Sequence, residues 1–196
     1  LWRETLIEAL HLGVISMKIG IISDTHGSIT AWEKAYENYL IHTDLIIHCG
    51  DVLYHGPRNP LPDGYKPNEL CTRFNNLDKP LVFVRGNCDA EVDQMVLDHP
   101  LEAPSAHLFT DHWRIFVHHG HHTELPVKTT EHYNLIISGH THLPSLNEAA
   151  GVVYLNPGSP SLPKNEPKTP TIAVIDKAAI VIWNIDTGEA VQSWRK

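Results

Sequence analysis

Short apolar runs recur along this chain, and five of them stop at side chains able to bind a metal. Residues 19–22 lead into Asp24 and His26, residues 46–47 into Gly50-Asp51, and residues 81–84 into Gly86-Asn87. Residues 115–117 lead into His118 and His119, and residues 135–137 into Gly139-His140-Thr141-His142. Brief β-branched and aliphatic runs bounded by Gly, Asn or Asp predict buried strands. Between the first three, Gly27-Ser28 offers a turn and an N-cap for a helix over 29–40, and Pro67 suits the first turn of a helix to about residue 77. A loop rich in Pro, Gly and Asn fills 52–65. Strand, helix, strand, helix, strand with short returns predicts parallel pairing and helices on the sheet faces.

After about residue 100 the pattern changes. Residues 107–110 and 113–118 read as antiparallel strands across a turn at Asp111-His112. Strands follow at 135–138, 145–147 and 152–155. A proline-rich loop over 157–170 then leads to a hairpin, 171–176 and 179–185, turned at Lys177, and to a last strand over 190–194. A short helix is expected at 90–96, with Asp89 as its cap. The result is two sheets with helices outside, an α/β sandwich in layers, forming a single domain over 17–196. Residues 1–16, where Glu4 and Glu8 alternate with Leu6, Leu10 and Leu12, suit a short helix in an N-terminal extension outside the fold. They lack the cationic start and long apolar core of a signal peptide.

Composition narrows the chemistry. A chain of 196 residues can bury roughly 70% of its unfolded surface. No apolar run approaches the ~20 residues that cross a bilayer. A formal charge of −8 argues against stable nucleic-acid binding through a phosphate-neutralising surface. It leaves room for a small phosphate ester, because bound metal ions supply positive charge locally. Cys49, Cys71 and Cys88 form no CxxC pair and cannot all be bridged, which points to a reducing, cytoplasmic setting. Nine of the 15 histidines lie between 107 and 142, and that clustering is the compositional clue.

Taken singly, Asp24-Thr25-His26, Gly50-Asp51 and Gly86-Asn87 are ordinary turn chemistry. In Gly139-His140-Thr141-His142, alternate side chains of extended backbone project the same way, as paired ligands would. The ordered series of strand ends carries the weight, since open α/β sheets place their sites beyond the carboxyl ends of parallel strands. Seven candidates, Asp24, His26, Asp51, Asn87, His119, His140 and His142, exceed what one small ion accepts. If one carboxylate bridges, they suit two ions. Mixed His, carboxylate and amide donors favour Mn²⁺, with Zn²⁺ or Fe²⁺ also suitable. No His-Glu-x-x-His is present, which excludes a zincin. His119-Gly120-His121 opens like a metallo-β-lactamase motif, but His122-Thr123-Glu124 does not continue it.

In this order, Asp-x-His, Gly-Asp, Gly-Asn-x-Asp, His-Gly-His and Gly-His-x-His resemble the calcineurin-like metallophosphoesterases over about residues 17–185. Within that superfamily, residues 50–59, 85–89 and 156–159 are similar to the small bacterial phosphodiesterases of the YfcE type. The resemblance implies a four-layer α-β-β-α sandwich with mixed sheets. It implies one ion held by Asp24, His26, Asp51 and His142 and a second by Asp51, Asn87, His119 and His140, with Asp51 bridging. The implied reaction is in-line attack of a metal-bridging hydroxide on a small phosphodiester. His119 is preferred to His118 because it directly precedes Gly120, as in the family pattern.

Many members of the superfamily carry histidine after Gly-Asn; here it is Cys88. The proton donor to the leaving group is then His55, His121, His122 or water. Arg58, Arg85 and Ser159 are candidates for phosphate binding, and His48 reads as a satisfied core residue. A homo-oligomer is compatible with the sequence. The alternatives are a phosphomonoesterase, or a non-catalytic protein-interaction scaffold resembling the retromer subunit of the same fold. Complete ligand positions favour the enzyme.

Overall fold

The computed structural model describes residues 17–122 and 129–196; the extension and helix expected over 1–16 lie outside the described residues. The first half builds β1 (Lys18–Ile22), α1 (Ile29–Asn38), β2 (Leu45–His48), α2 (Pro67–Asn75), β3 (Leu81–Val84), α3 (Glu91–Val96) and β4 (Leu101–Glu102). The second half builds β5 (Ser105–Phe109), β6 (Arg114–His118), α4 (Thr129–His132), β7 (Leu135–Ile137), β8 (Ser145–Ala149) and β9 (Val152–Asn156). It ends with β10 (Thr171–Asp176), β11 (Ala179–Asn184) and β12 (Ala190–Arg195).

Two mixed sheets result. The larger runs β12-β11-β10-β1-β2-β3-β4 and the smaller β5-β6-β7-β9-β8. Strands β1 to β4 pair in parallel, as do β6, β7 and β9; the flanking strands are antiparallel.

Alternation along each strand decides what is buried where. Ile19, Ile21, Leu45 and Ile47 meet Ile115, Val117, Leu135 and Ile137 in the core between the sheets. Their neighbours Ile22, Ile46 and Phe83 turn the other way, under Trp32 of α1 and Leu70 and Phe74 of α2. Ser28 caps α1 by accepting from the Ala31 N–H at 3.1 Å, and Pro67 opens α2. The outer face of the smaller sheet buries Phe116, Ile136 and Val152 beneath Tyr133 and Tyr154. Among the described residues, α4 is the one helix of the smaller sheet's half, so this outer layer is much thinner than its counterpart.

Several elements differ from expectation at their ends. The helix expected to residue 40 ends at Asn38, because Tyr39 leaves helical geometry (φ −137°) and a 3₁₀ turn, Leu40–His42, follows. Strand β4 has two residues, too few for any periodicity to reveal. Strand β5 begins at Ser105 rather than 107. The short helix expected at 90–96 is α3, but Asp89 does not cap it. Ala90 holds the cap position, and its N–H is taken by Asp93 at 2.7 Å.

Phe74 is fully buried, edge-on to Trp32 at 4.6 Å and to Phe83 at 5.1 Å between ring centres. Phe74→Ala is expected to cost about 3–5 kcal/mol of stability, read as a fall in the urea midpoint with an unchanged slope.

Candidate metal centre

The carboxyl ends of β1, β2, β3, β6 and β7 all open at one edge of the sandwich. The loops leaving them are tied to one another by backbone hydrogen bonds. Asp24 N–H donates to Gly50 O at 3.0 Å, His26 N–H to Asp51 O at 3.0 Å and Gly27 N–H to Val52 O at 2.8 Å. Gly139 N–H donates to His119 O at 2.8 Å. His140 N–H reaches the Asp24 carboxylate at 3.0 Å, so loops from both sheets meet there. Three overlapping groups result, each with donor atoms within 4.8 Å of one another: Asp24, His26 and His142; Asp51, His119 and His140; and, between these two, His26, Asp51 and Cys88.

Asp51 lies between them. Its Oδ2 faces His26 Nε2 at 3.7 Å and its Oδ1 faces His119 Nε2 at 3.3 Å. Asn87 Oδ1 approaches the same His119 nitrogen at 3.2 Å. On the other side, Asp24 Oδ1 is fully buried without a hydrogen-bond partner, 3.3 Å from His142 Nε2 and 3.8 Å from His26 Nε2. An orphaned buried carboxylate oxygen is costly unless a cation meets it.

The histidine tautomers point the same way. His26, His119 and His142 each set Nδ1 against a backbone carbonyl, those of Tyr54 (2.8 Å), Cys49 (2.7 Å) and Leu162 (2.6 Å). A carbonyl only accepts, so each Nδ1 carries the hydrogen and Nε2 is left to bind. The Nε2 atoms of His26 and His142 are 3.2 Å apart. Burial holds His26 below its ordinary pKa, so this ring presents a lone pair to its neighbour. That arrangement is unfavourable on its own and natural around a shared divalent ion. The donor set therefore fits the metal.

Backbone conformation marks the same residues. Asp24, His26, Asp51, His140 and His142 all have left-handed φ, between 47° and 68°. Each costs on the order of 1–2 kcal/mol for an L side chain, and such strain gathers at functional sites. Surrounding groups hold it in place. Asp89, 5% exposed, accepts from the N–H groups of Asp51 (2.9 Å), Val52 (2.7 Å) and Gly86 (2.6 Å) and so joins the Asp51 and Asn87 loops. Burial pushes its carboxyl up to about 6, with the three N–H groups opposing; at neutral pH it remains an acceptor. Beneath the first two loops, His48 accepts from Gly50 N–H and contacts Thr25 Oγ1 at 2.8 Å, which donates to Val52 O. Burial takes this ring down to about 3, so it is a neutral core histidine, as expected.

The remaining expected residues are placed as follows. Ser159 is fully buried and donates to Asp24 O at 2.8 Å, which supports the strained loop from behind. Arg85 pairs with Glu91 at 2.8 Å and donates to Asp89 O. His55 sits edge-on between Tyr54 and Tyr65. His121 lies with ring centres 5.4 Å from His119 and 6.4 Å from His140. Arg58 lines a cavity of about 760 Å³ whose floor includes Asp51, Asn87 and His140. Cys88 also lines it; burial and the neighbouring Asp51 charge push its thiol up to about 12, so it is neutral there. Residues that sequence reasoning missed are Asp89 as the link between loops, Ser23, which donates to Asp24 Oδ2 at 2.6 Å, and Lys164 at the cavity wall. The Gly-Asn-Cys-Asp spacing offered a signal for Asp89; nothing local singled out the other two.

Comparison with known proteins adds the family. The model of the calcineurin-like phosphoesterase superfamily domain matches residues 17–179. The chain belongs to that superfamily. It is 40% identical to phosphodiesterase YfcE of Escherichia coli over 152 residues, 76% of this chain and 82% of that one. The solved structure of YfcE, a phosphoesterase, superposes with a TM-score of 0.84 at 34% identity, covering 91% of this chain and 99% of the other. Vacuolar protein sorting 29 from Cryptosporidium parvum shares the fold at a TM-score of 0.64 and 16% identity, covering 92% and 99%. The superfamily binds divalent metal, and this chain supplies the donor groups for it.

Two outcomes are expected. A Cβ on Gly86 would overlap the Asp51 carboxylate and backbone nitrogen, so Gly86→Ala should weaken Mn²⁺ binding at least about 100-fold by calorimetry. Burial disfavours a charged His119, but the hydrogen bond to Asp51 and the charges of Asp24 and Asp51 outweigh it and raise the ring to about 9. Its stabilising contribution in metal-free protein is complete below about pH 6.5 and lost as pH rises through 9. Metal displaces that proton, so Mn²⁺ affinity should climb across the same interval. About one proton should be released per binding event, measured in buffers of different ionisation enthalpy.

Proposed function

We propose that this protein is a dinuclear metal-dependent phosphodiesterase, a phosphoric diester hydrolase acting on a small substrate. The observation that carries it is the split carboxylate of Asp51, one oxygen toward His26 and the other toward His119. One ion would be held by Asp24, His26, Asp51 and His142 and the other by Asp51, Asn87, His119 and His140. Mn²⁺ suits these donors best, and Zn²⁺ or Fe²⁺ is compatible. Two such ions supply a nucleophilic water of lowered pKa and positive charge for in-line displacement at phosphorus.

The chain's own residues do the rest. Asp51, with one oxygen toward His26 and one toward His119, would be shared between the two sites. Carbonyl partners behind His26, His119 and His142 hold the hydrogen on each Nδ1 and so fix the direction of each Nε2. Asn87 aims its amide oxygen at the second site. Arg58, at the cavity wall, offers a guanidinium to non-bridging phosphate oxygens. Cys88, neutral and poorly acidic, is excluded as an efficient proton donor. Of the three histidines considered, His121 lies beside the metal ligands, His122 is exposed against His121 with ring centres 4.0 Å apart, and His55 is enclosed by tyrosines. Leaving-group protonation therefore falls to His121 or water.

The cavity's size and the net charge of −8 suit a small diester better than a nucleic-acid duplex. Three unpaired cysteines fit a cytoplasmic setting, and no helix among the described residues is long and apolar enough to cross a membrane. A scaffold role of the kind associated with the retromer subunit is disfavoured, because all seven ligand positions carry side chains competent to bind metal.

The test compares bis(p-nitrophenyl) phosphate with p-nitrophenyl phosphate, Mn²⁺ present. The diester should be hydrolysed faster, and Asp51→Asn should lower its kcat by at least about 1,000-fold. A wild type that binds two ions and hydrolyses neither compound would sink the enzymatic reading. Faster monoester turnover would make it a phosphomonoesterase.

A further inference from the structure

The cavity over the metal-capable side chains is larger than one phosphate requires. About 760 Å³ is within the range that encloses a whole small-molecule ligand. Its walls come from different loops. One, after β2, carries Tyr54 and Arg58; another, after β9, carries Lys164. The Lys164 N–H donates to His142 O at 3.3 Å, which ties this second wall to the candidate metal centre.

Lys164 forms no ion pair or side-chain hydrogen bond with any described residue. Lys18, Lys34, Lys66, Arg73 and Arg85 all pair with carboxylates. Arg58 and Lys164 are the lysine and arginine side chains that line the cavity, both exposed and both without a carboxylate partner among the described residues. Charge counting then applies. A scissile phosphodiester carries a single negative charge, which divalent ions held at the floor and Arg58 would meet. Lys164 is surplus unless the substrate brings a second anion.

We infer that Lys164 binds a second anionic group, a phosphate or carboxylate remote from the scissile phosphorus. The preferred substrate class is accordingly a phosphodiester with an additional anion. This rests on the phosphodiesterase reading, which assigns the scissile phosphate to the cavity floor. An anion on Lys164 would settle beside the loop that orients His142, so that recognition and metal geometry share one segment.

The probes are thymidine 5′-(p-nitrophenyl phosphate) and the same diester bearing a 3′-phosphate, which differ only in the remote anion. Wild type should prefer the phosphorylated diester about ten-fold in kcat/KM, chiefly through KM. Lys164→Ala should reduce the preference below about two-fold, and Lys164→Arg should restore most of it. Lys168→Ala removes an equal charge from the same loop outside the cavity lining and should retain the preference. Calorimetric binding of thymidine 3′,5′-bisphosphate against thymidine 5′-monophosphate reads the same ratio without turnover. No preference in wild type, or one untouched by Lys164→Ala, overturns the second-anion site. A Lys164-dependent binding ratio in a protein that hydrolyses neither diester keeps that site and overturns the phosphodiesterase reading instead.

Discussion

Everything at the carboxyl edge of this sandwich depends on holding Asp51, a 2% exposed carboxylate, in a left-handed backbone conformation. Burial alone would raise its pKa. The hydrogen bond and charge of His119 and the Cys88 N–H at 2.8 Å instead keep the carboxyl below the usual range. An ionised group this deep survives only with dense compensation. The neighbouring histidines, the Asp89 link and the paired backbone loops are that compensation. Divalent cations would complete it.

The division of labour follows from the physics of the two regions. Between the sheets, aliphatic side chains interdigitate and bury the apolar surface that stabilises the fold. At the edge, the structure spends part of that stability on strained φ angles and unpaired polar atoms. Parallel strands make the exchange workable, because their carboxyl ends leave together and deliver loops from both sheets to one place. Gly50 illustrates how tight the convergence is. It has φ of 102°, and a Cβ there would lie 2.6 Å from His119 Nδ1 and 2.7 Å from Gly86 N.

The groups behind the metal-capable side chains matter as much as the side chains themselves. Ser23, Ser159 and the His140 N–H hold Asp24, and Asn156 Nδ2 holds the Gly139 carbonyl at 2.8 Å. None of these contacts is local in sequence except Ser23 to Asp24. The three histidine Nδ1 atoms are likewise directed by carbonyls between 20 and 70 residues away. Orientation of the site is therefore a tertiary property, built on side chains whose identities are local.

Sequence alone determined the strands that end in Asp, Asn or His, the parallel character of the first half, the layered sandwich and the seven metal candidates. Those features are written in residue type, in apolar runs of strand length and in glycine placement, which are local signals. Tertiary structure decided the rest. The two-residue β4 and the four-residue helix described over the smaller sheet leave no periodic trace. Asp89 read locally as a helix cap and Ser159 as a phosphate contact. Packing turned the first inward to join two loops and buried the second behind Asp24, because buried backbone N–H and C=O groups must find partners wherever the chain brings them. Which oxygen of Asp51 faces which histidine, and which cations stay unpaired at the cavity, arises only when loops from both sheets meet.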